Sequence, residues 1–235
     1  MFSKSAKFYN AIYASMGKDH SAEAQKVHRI IQKHKKSSGN RLLEVACGTG
    51  LHASILQKFY HVEGFDLDAE MLAIAKQNYP NIPFHQADMV EFDLGKRFDV
   101  ITCLFSSIGY VKTTARLNQA ILTMAHHLLP GGVLIVEPWF TPDQWNPGKI
   151  HALFVDQPNL KISRMNISEV EGRLSFFTFH YTVGTQQGVE YFTERHELGL
   201  FTHQEYLKAF SKASLEITHD ADGLDERGLY IGLKS

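Results

Sequence analysis

Only two of the 235 residues are cysteine, Cys47 and Cys103, and both lie in apolar stretches. A disulfide framework is therefore not expected, and a reducing, cytoplasmic setting is the simpler reading. No apolar run approaches the roughly 18 residues that a membrane-spanning helix needs. The opening MFSKSAKFYNAIYASMGKDH breaks its apolar stretch at Asn10 and has no small-residue cleavage site after it, which argues against a signal peptide. Neither sign of charge dominates: 24 Lys and Arg stand against 25 Asp and Glu, a net charge of −1. That balance offers no electrostatic footprint for nucleic acid, and the short basic run KHKK (33–36) reads as a solvated helix end. Thirteen histidines are present, yet none falls in an H-E-x-x-H or a Cys/His zinc spacing, so no metal is expected.

What is present is an alternation of short apolar runs with helix-length segments. Strands are expected at RLLEVA (41–46), HVEGFDLD (61–68), IPFHQADM (82–89), FDVITCLFSSI (98–108) and GVLIVEPW (132–139). Helices are expected over 21–36 with Ser21 as N-cap, and at LHASILQKFY (51–60), AEMLAIAKQNYP (69–80) and TARLNQAILTMAHHLLP (114–130), the last stopped at Pro130-Gly131-Gly132. Strands separated by helices point to parallel βαβ winding, and near-continuous apolar strands fit a sheet covered on both faces. After Trp139 the pattern changes. NLKISRMNI, GRLSFFTFHYTVG and GVEYFTERHELGLF are joined by polar or glycine turns and read as an antiparallel meander, followed by a helix at 202–214 and a last strand, GLYIGLKS. No linker or repeat interrupts the chain, so a single domain over 1–235 is expected, with its nucleoside-binding core at about 40–140 and the meander at about 150–200.

The first strand ends in a glycine turn, LLEVACGTGLHA, spaced G-x-G-x-x-A at Gly48, Gly50 and Ala53. Such a turn brings backbone close to a ligand, either the pyrophosphate of a dinucleotide or a phosphate-free adenosine compound. Three carboxylates weigh on the choice. Glu44 sits within the strand, where a buried charge needs a partner, either a ligand ammonium or the loop's own N–H groups. Asp66 ends the second strand, placed to accept both hydroxyls of a ribose. Asp88 ends the third, where it can accept from an exocyclic adenine amine. Together they suit a cationic adenosine ligand, S-adenosylmethionine, better than NAD, which stays as the alternative.

The segments LLEVACGTG, VEGFDLDAEMLAIAK, HQADMVEFDLGKRFDVITCLFSSIGY and LLPGGVLIVEPW resemble, in order and spacing, the class I S-adenosylmethionine-dependent methyltransferases. The resemblance implies a Rossmann-like, doubly wound α/β fold with a seven-stranded sheet whose last strand is antiparallel, here with an added antiparallel β meander. GKDHSAEA, FSSIGYV, VEPWFTP, ERHELGLFT and ERGLYIGL are similar, over almost the whole chain, to the branch that N,N-dimethylates nucleotide-linked amino sugars.

On that resemblance the expected cofactor contacts are Ala46, Gly48 and Gly50 at the methionine part, Asp66 and Leu67 at the ribose, and Asp88 and Met89 at the adenine. Met71 is expected on the adenine face, Leu104 approaches through its backbone, and Tyr9 matches an N-terminal tyrosine that lies over the cofactor. Tyr110 follows the strand that in the family faces the transferred methyl, at a position where the branch often has histidine, so it is the expected catalytic residue and departs from the pattern there. A tyrosine orients an amine but is a poor base at neutral pH, its free pKa being about 10. Glu137 and Trp139, at the C-terminal edge of the fifth strand, and His180 and His196 on the meander are expected to line the acceptor pocket. Arg227 matches a family arginine suited to a substrate phosphate. The expected activity is methyl transfer to a small-molecule amine, most simply that of a nucleotide-linked amino sugar, with S-adenosylhomocysteine as product. Another small amine or hydroxyl acceptor, an NAD-dependent oxidoreductase and a silent cofactor-binding module are the alternatives. The expected partners are a small-molecule acceptor and a second copy of the chain, with neither nucleic acid nor membrane.

Overall fold

The structure, a computed structural model, describes residues 4–235. Its frame is a seven-stranded sheet in the order β11-β12-β5-β4-β1-β2-β3. These strands are β1 (Arg41–Val45), β2 (His61–Asp66), β3 (Phe84–Gln86), β4 (Phe98–Cys103), β5 (Leu128–Val136), β11 (Leu215–Asp220) and β12 (Leu229–Lys234). Neighbours run parallel except β12, which is antiparallel to both β5 and β11. Consecutive residues of β1 and β4 face opposite sides, and both sides are apolar. Leu43, Ile101 and Leu134 pack with helices α5 (Thr114–His126) and α6 (His203–Lys212). Leu42, Val100 and Val133 pack with α2 (His20–His34), α3 (Leu51–Leu56) and α4 (Ala69–Asn78). Every residue of β4 is buried, as two-sided coverage requires. The strand order reverses between β1 and β4, which is where α/β sheets open a ligand crevice.

A second sheet, in the order β10-β9-β7-β6, comprises β6 (Ile150–Gln157), β7 (Leu160–Ile167), β9 (Leu174–Thr185) and β10 (Gly188–Gly199), with the short β8 (Glu169–Glu171) beside β9. It is antiparallel throughout. Its inner face, with Phe177, Phe179, Tyr181 and Val183, packs on Ile12 and Tyr13 of helix α1 (Tyr9–Ser15). The opening segment is tied to both sheets. The Ser5 hydroxyl and the Lys4 and Ser5 N–H groups donate to Glu194 on β10, while Thr49 of the glycine loop donates to Asn10 on α1 at 2.7 Å.

Several boundaries differ from expectation, each for a local reason. Helix α2 starts one residue earlier than read, because the Asp19 carboxylate rather than Ser21 caps it, accepting from the Ala22 N–H. Helix α3 is only six residues long. The fourth strand stops at Cys103, since Phe105 and Ser106 take positive φ (56° and 58°) and lead into a 3-10 turn over Ser107–Val111. β5 begins at Leu128, so Pro130-Gly131-Gly132 lies inside a strand entry rather than ending a helix; Gly131 has φ 73° and its Cβ position abuts the Ser37 backbone nitrogen. Strands β6 and β11 were not anticipated. β6 buries only Val155 fully, so it carries no apolar alternation to read.

Candidate cofactor and acceptor site

The crevice above β1 and β4 and the inner face of the meander enclose one cavity of about 680 Å³. Its floor is the glycine loop. Gly48 has φ 55°, and a Cβ built on it would meet no protein atom within 4 Å, so the space beside its backbone is open to a ligand. Gly50 serves differently: in the left-handed conformation (φ 77°) it is the N-cap of α3, with its Cα pressed against the Phe84 ring. It does not line the cavity.

Asp66, 7% exposed, lies at the cavity wall at the end of β2. One carboxylate oxygen accepts the Gly48 N–H at 2.8 Å and the other the Asp68 N–H at 2.9 Å. These bonds hold the carboxylate in place while leaving it lone-pair capacity for a ligand hydroxyl. Burial raises its pKa, with the two N–H bonds opposing. Helix capping falls to Asp68, which accepts from Glu70 and Met71, leaving Asp66 to the cavity. Leu67, Met71, Met89 and Ala46 line the same cavity. Asp88 is also there, but one oxygen takes the Val90 N–H and the other pairs with Arg116 at 2.9 Å. Glu44 is almost wholly buried and outside the cavity wall. Its surroundings are the Ala53 N–H, which lowers its pKa, and His52 Nδ1 at 3.8 Å, and burial pushes that pKa up to about 8. Of the two roles open to it in the sequence, acceptor for the loop is the one its position fits.

The rest of the lining is aromatic and cationic. Tyr9 and Tyr13 pack with ring centroids 4.6 Å apart, and Phe105 meets Tyr13 edge-on at 4.8 Å. Tyr110 Oη lies 2.8 Å from His196 Nδ1, and His196 stacks on Phe177. Burial lifts the Tyr110 hydroxyl well above its usual pKa and drives His196 down to about 3. At neutral pH the pair is therefore an uncharged phenol on an uncharged imidazole. Trp139 lines the wall and donates through Nε1 to Ser175.

Besides Gly50, three expected contacts stand elsewhere. Leu104 is buried in the core beneath α3 and outside the wall, where its neighbours Phe105 and Ser106 are instead. Glu137, 1% exposed, sits behind the wall. It accepts the Phe105 N–H at 2.6 Å and pairs with Arg227 at 2.8 Å, holding two lining residues in place. His180 points to the outer face of the meander and bonds the Tyr191 hydroxyl at 2.6 Å; inward positions on β9 belong to the odd-numbered Phe177, Phe179 and Tyr181. Arg227 does line the cavity, flanked by Glu137 and Asp225.

Lining residues that the sequence reading passed over include Tyr13, Lys18 and Arg164. Lys18 holds its ammonium 4.3 Å above the Phe105 ring. Arg164, 8% exposed, stacks on Phe179 at 4.1 Å and meets Met16 Sδ at 3.7 Å; among the described residues it pairs with no carboxylate, and one guanidinium nitrogen has no hydrogen-bond partner. Its only linear signal is a cation at an inward position of a strand otherwise alternating Ile162, Arg164, Asn166 on that face.

Comparison with known proteins agrees with this geometry. Residues 42–132 match the methyltransferase domain family. The chain is 38% identical over 97% of its length to a dTDP-3-amino-3,6-dideoxy-alpha-D-glucopyranose N,N-dimethyltransferase of Streptomyces fradiae, covering 90% of that protein. It is 36% identical to the Streptomyces venezuelae dTDP-3-amino-3,4,6-trideoxy-alpha-D-glucopyranose N,N-dimethyltransferase, with 97% of each chain covered. Among solved structures, Streptomyces venezuelae DesVI superposes with a TM-score of 0.93 at 35% identity over 98% of both chains. S-adenosylmethionine-bound CalS10, an amino pentose methyltransferase from Micromonospora echinaspora, gives 0.88 at 35% identity over 97% of this chain and 96% of that one. The chain belongs to the S-adenosylmethionine-dependent methyltransferases, in the family that contains these amino-sugar N,N-dimethyltransferases.

Proposed function

We propose that this enzyme transfers methyl from S-adenosylmethionine to the amino nitrogen of a nucleotide-linked amino sugar, with the meander forming the acceptor side. The observation that carries the reading is that one cavity is lined by a glycine loop and a fixed carboxylate together with aromatic rings, Arg164 and Arg227. Gly48 and Asp66 would hold the cofactor through backbone approach and ribose hydroxyls, with Met71 and Met89 at the base. The bound cofactor supplies an already activated methyl on a sulfonium, so the amine needs alignment rather than a strong base. Alignment of this kind is worth roughly 7–11 kcal/mol of barrier.

Tyr110 would provide that alignment. In the tautomer protonated at Nε2, the Tyr110 hydroxyl donates a hydrogen bond to His196 Nδ1, which leaves the phenol oxygen's lone pairs for an amine N–H. A raised phenol pKa suits a hydrogen-bond partner and not a base. Arg227 and Arg164, which also line the cavity, suit a diphosphate, since a guanidinium fork matches phosphate geometry. Two buried free cysteines fit a cytoplasmic setting. Ile150, Phe154 and Val189, all more than two-thirds exposed on the meander, support a homodimer through that sheet, which light scattering would test.

The direct experiment incubates the enzyme with S-adenosylmethionine and a panel of dTDP-linked amino sugars and free small amines, and follows S-adenosylhomocysteine release and methyl gain by mass. Turnover on the sugar nucleotide is expected, with KM raised and kcat little changed in Arg227→Ala, because binding far from the reacting nitrogen is uniform. Equal turnover on free amines, unaffected by Arg227→Ala, would overturn the nucleotide assignment.

A further inference from the structure

We propose that His20, Glu23 and His52 form a site for one first-row divalent cation of the zinc type, joining helices α2 and α3 beneath the glycine loop. No linear zinc motif marks it, because the third ligand comes from a different helix. His20 is the first residue of α2, Glu23 lies one turn on along the same face, and His52 is the second residue of α3. Nδ1 of His20, Oε2 of Glu23 and Nε2 of His52 converge. The separations are 3.5 Å between the two histidine nitrogens, 3.6 Å from His20 to Glu23 and 2.9 Å from His52 to Glu23. All three side chains are largely buried, at 15%, 11% and 9% exposure.

An ion bound at about 2.0–2.2 Å in tetrahedral geometry sets its ligand atoms about 3.3–3.6 Å apart. Two edges of the triangle already match, and the third, a hydrogen bond, needs to open by a few tenths of an ångström. Two imidazoles and one carboxylate are a borderline donor set suited to zinc, cobalt or iron, with a fourth position left for water. A cation satisfies all three converging lone pairs at once, whereas a proton bridges only two.

A metal-bound histidine commonly turns its other ring nitrogen to a carboxylate; the Glu44 carboxyl stands 3.8 Å from His52 Nδ1, within ion-pair range but beyond a hydrogen bond. Lys18 is the competing cation, but its ammonium engages the other oxygen of Glu23, Oε1, at 2.5 Å, with Asp225 Oδ2 at 3.8 Å sharing its charge. Oε2 is left to the ion. None of the three ligands lines the cofactor cavity, so the ion would act as a staple that stabilises the helix bearing the loop.

The test uses the full chain stripped with chelator and titrated with cobalt(II), since tetrahedral cobalt absorbs strongly in the visible. One equivalent per chain should give that absorption, and zinc should raise Tm. His20→Ala and Glu23→Gln should each weaken binding more than tenfold and abolish both signals, while S-adenosylhomocysteine still binds. His20 begins its helix, so His20→Ala keeps the test sound should Glu23→Gln fail to fold. Unchanged cobalt spectra and zinc shifts in His20→Ala, or neither signal in the wild type, would overturn the proposal by tracing any binding to other histidines or to none.

Discussion

Replacing Glu44 by glutamine should make the protein more stable at alkaline pH, even though it removes a buried residue of the central strand. The carboxyl is 3% exposed and, among the described residues, one of its oxygens has no hydrogen-bond partner, so ionising it in place is costly. Burial raises its pKa from 4.5 to about 8, with the Asp66 charge adding to the effect. An acid whose folded pKa lies above its unfolded value binds more protons when folded. Stability therefore falls as pH rises from about 4.5 to about 8, and is constant outside that window so far as this group is concerned. Each unit is worth about 1.4 kcal/mol, so the whole span is on the order of 4 to 5 kcal/mol, a large part of the 5–15 kcal/mol that holds a typical domain together. Glutamine cannot ionise. Urea denaturation of wild type and Glu44→Gln between pH 5 and 9, with chelator present to keep cations from His52, should give similar midpoints at pH 5. The curves should then diverge steadily, with the variant ahead at pH 9. Parallel profiles would refute the reasoning, because they would mean that the buried carboxyl ionises at no cost.

Asp66→Ala should weaken S-adenosylhomocysteine binding in calorimetry by about 1.5–3 kcal/mol, the value of hydrogen bonds to a charged acceptor; unchanged affinity would remove the ribose assignment. Tyr110→Phe should lower kcat modestly and leave cofactor affinity intact, and a loss of several orders of magnitude would make the phenol a base after all. His196→Gln, acting through Tyr110, should reproduce that modest loss in wild type and add nothing in the Tyr110→Phe background. Independent, additive losses would show that His196 touches the acceptor itself. Since burial holds His196 neutral above about pH 3, the rate profile between pH 5 and 8 should carry no inflection that disappears in His196→Gln.

Much of the frame is legible before any coordinates. Strands β1, β4 and β5 are runs of apolar residues because both faces of the sheet are covered, and a run of that kind needs no partner to be recognised. Asp66 is legible for a related reason: a carboxylate at the end of such a run must be paired or used. Strands β6 and β11 are not. β6 presents seven of its eight residues to partial or full exposure, and β11 buries only Leu215, so each is fixed by hydrogen bonding to a neighbour and not by its own pattern. His180 and His196 show the limit most sharply. Both lie on strands of one hairpin, and register decides which faces inward: His196 pairs with Phe177 in the ladder, and His180 with Thr193.

Glu137 and Arg227 carry the same point into the site. Ninety positions apart in sequence, they read separately as a pocket carboxylate and a phosphate-binding arginine. In the fold the carboxylate is a hub behind the wall, one oxygen on the Phe105 N–H and the other on Arg227. The first bond stabilises two successive residues at positive φ, Phe105 and Ser106, a conformation that side chains resist; Ser106 adds a bond to the Pro138 carbonyl at 2.6 Å. The second bond fixes one edge of the guanidinium, while Asp225 at 3.0 Å takes the other. Glu137 is buried and Asp225 is half exposed, so the two pairings are unequal. A diphosphate would displace the exposed Asp225 far more readily than the buried Glu137, whose loss would leave a charge uncompensated in the core. Substrate binding through Arg227 would therefore keep the Glu137 bond and with it the strained turn that carries Phe105 against Tyr13 and leads into the turn bearing Tyr110. The arginine proposed to meet the phosphate and the turn that leads to Tyr110 are thus held by one carboxylate.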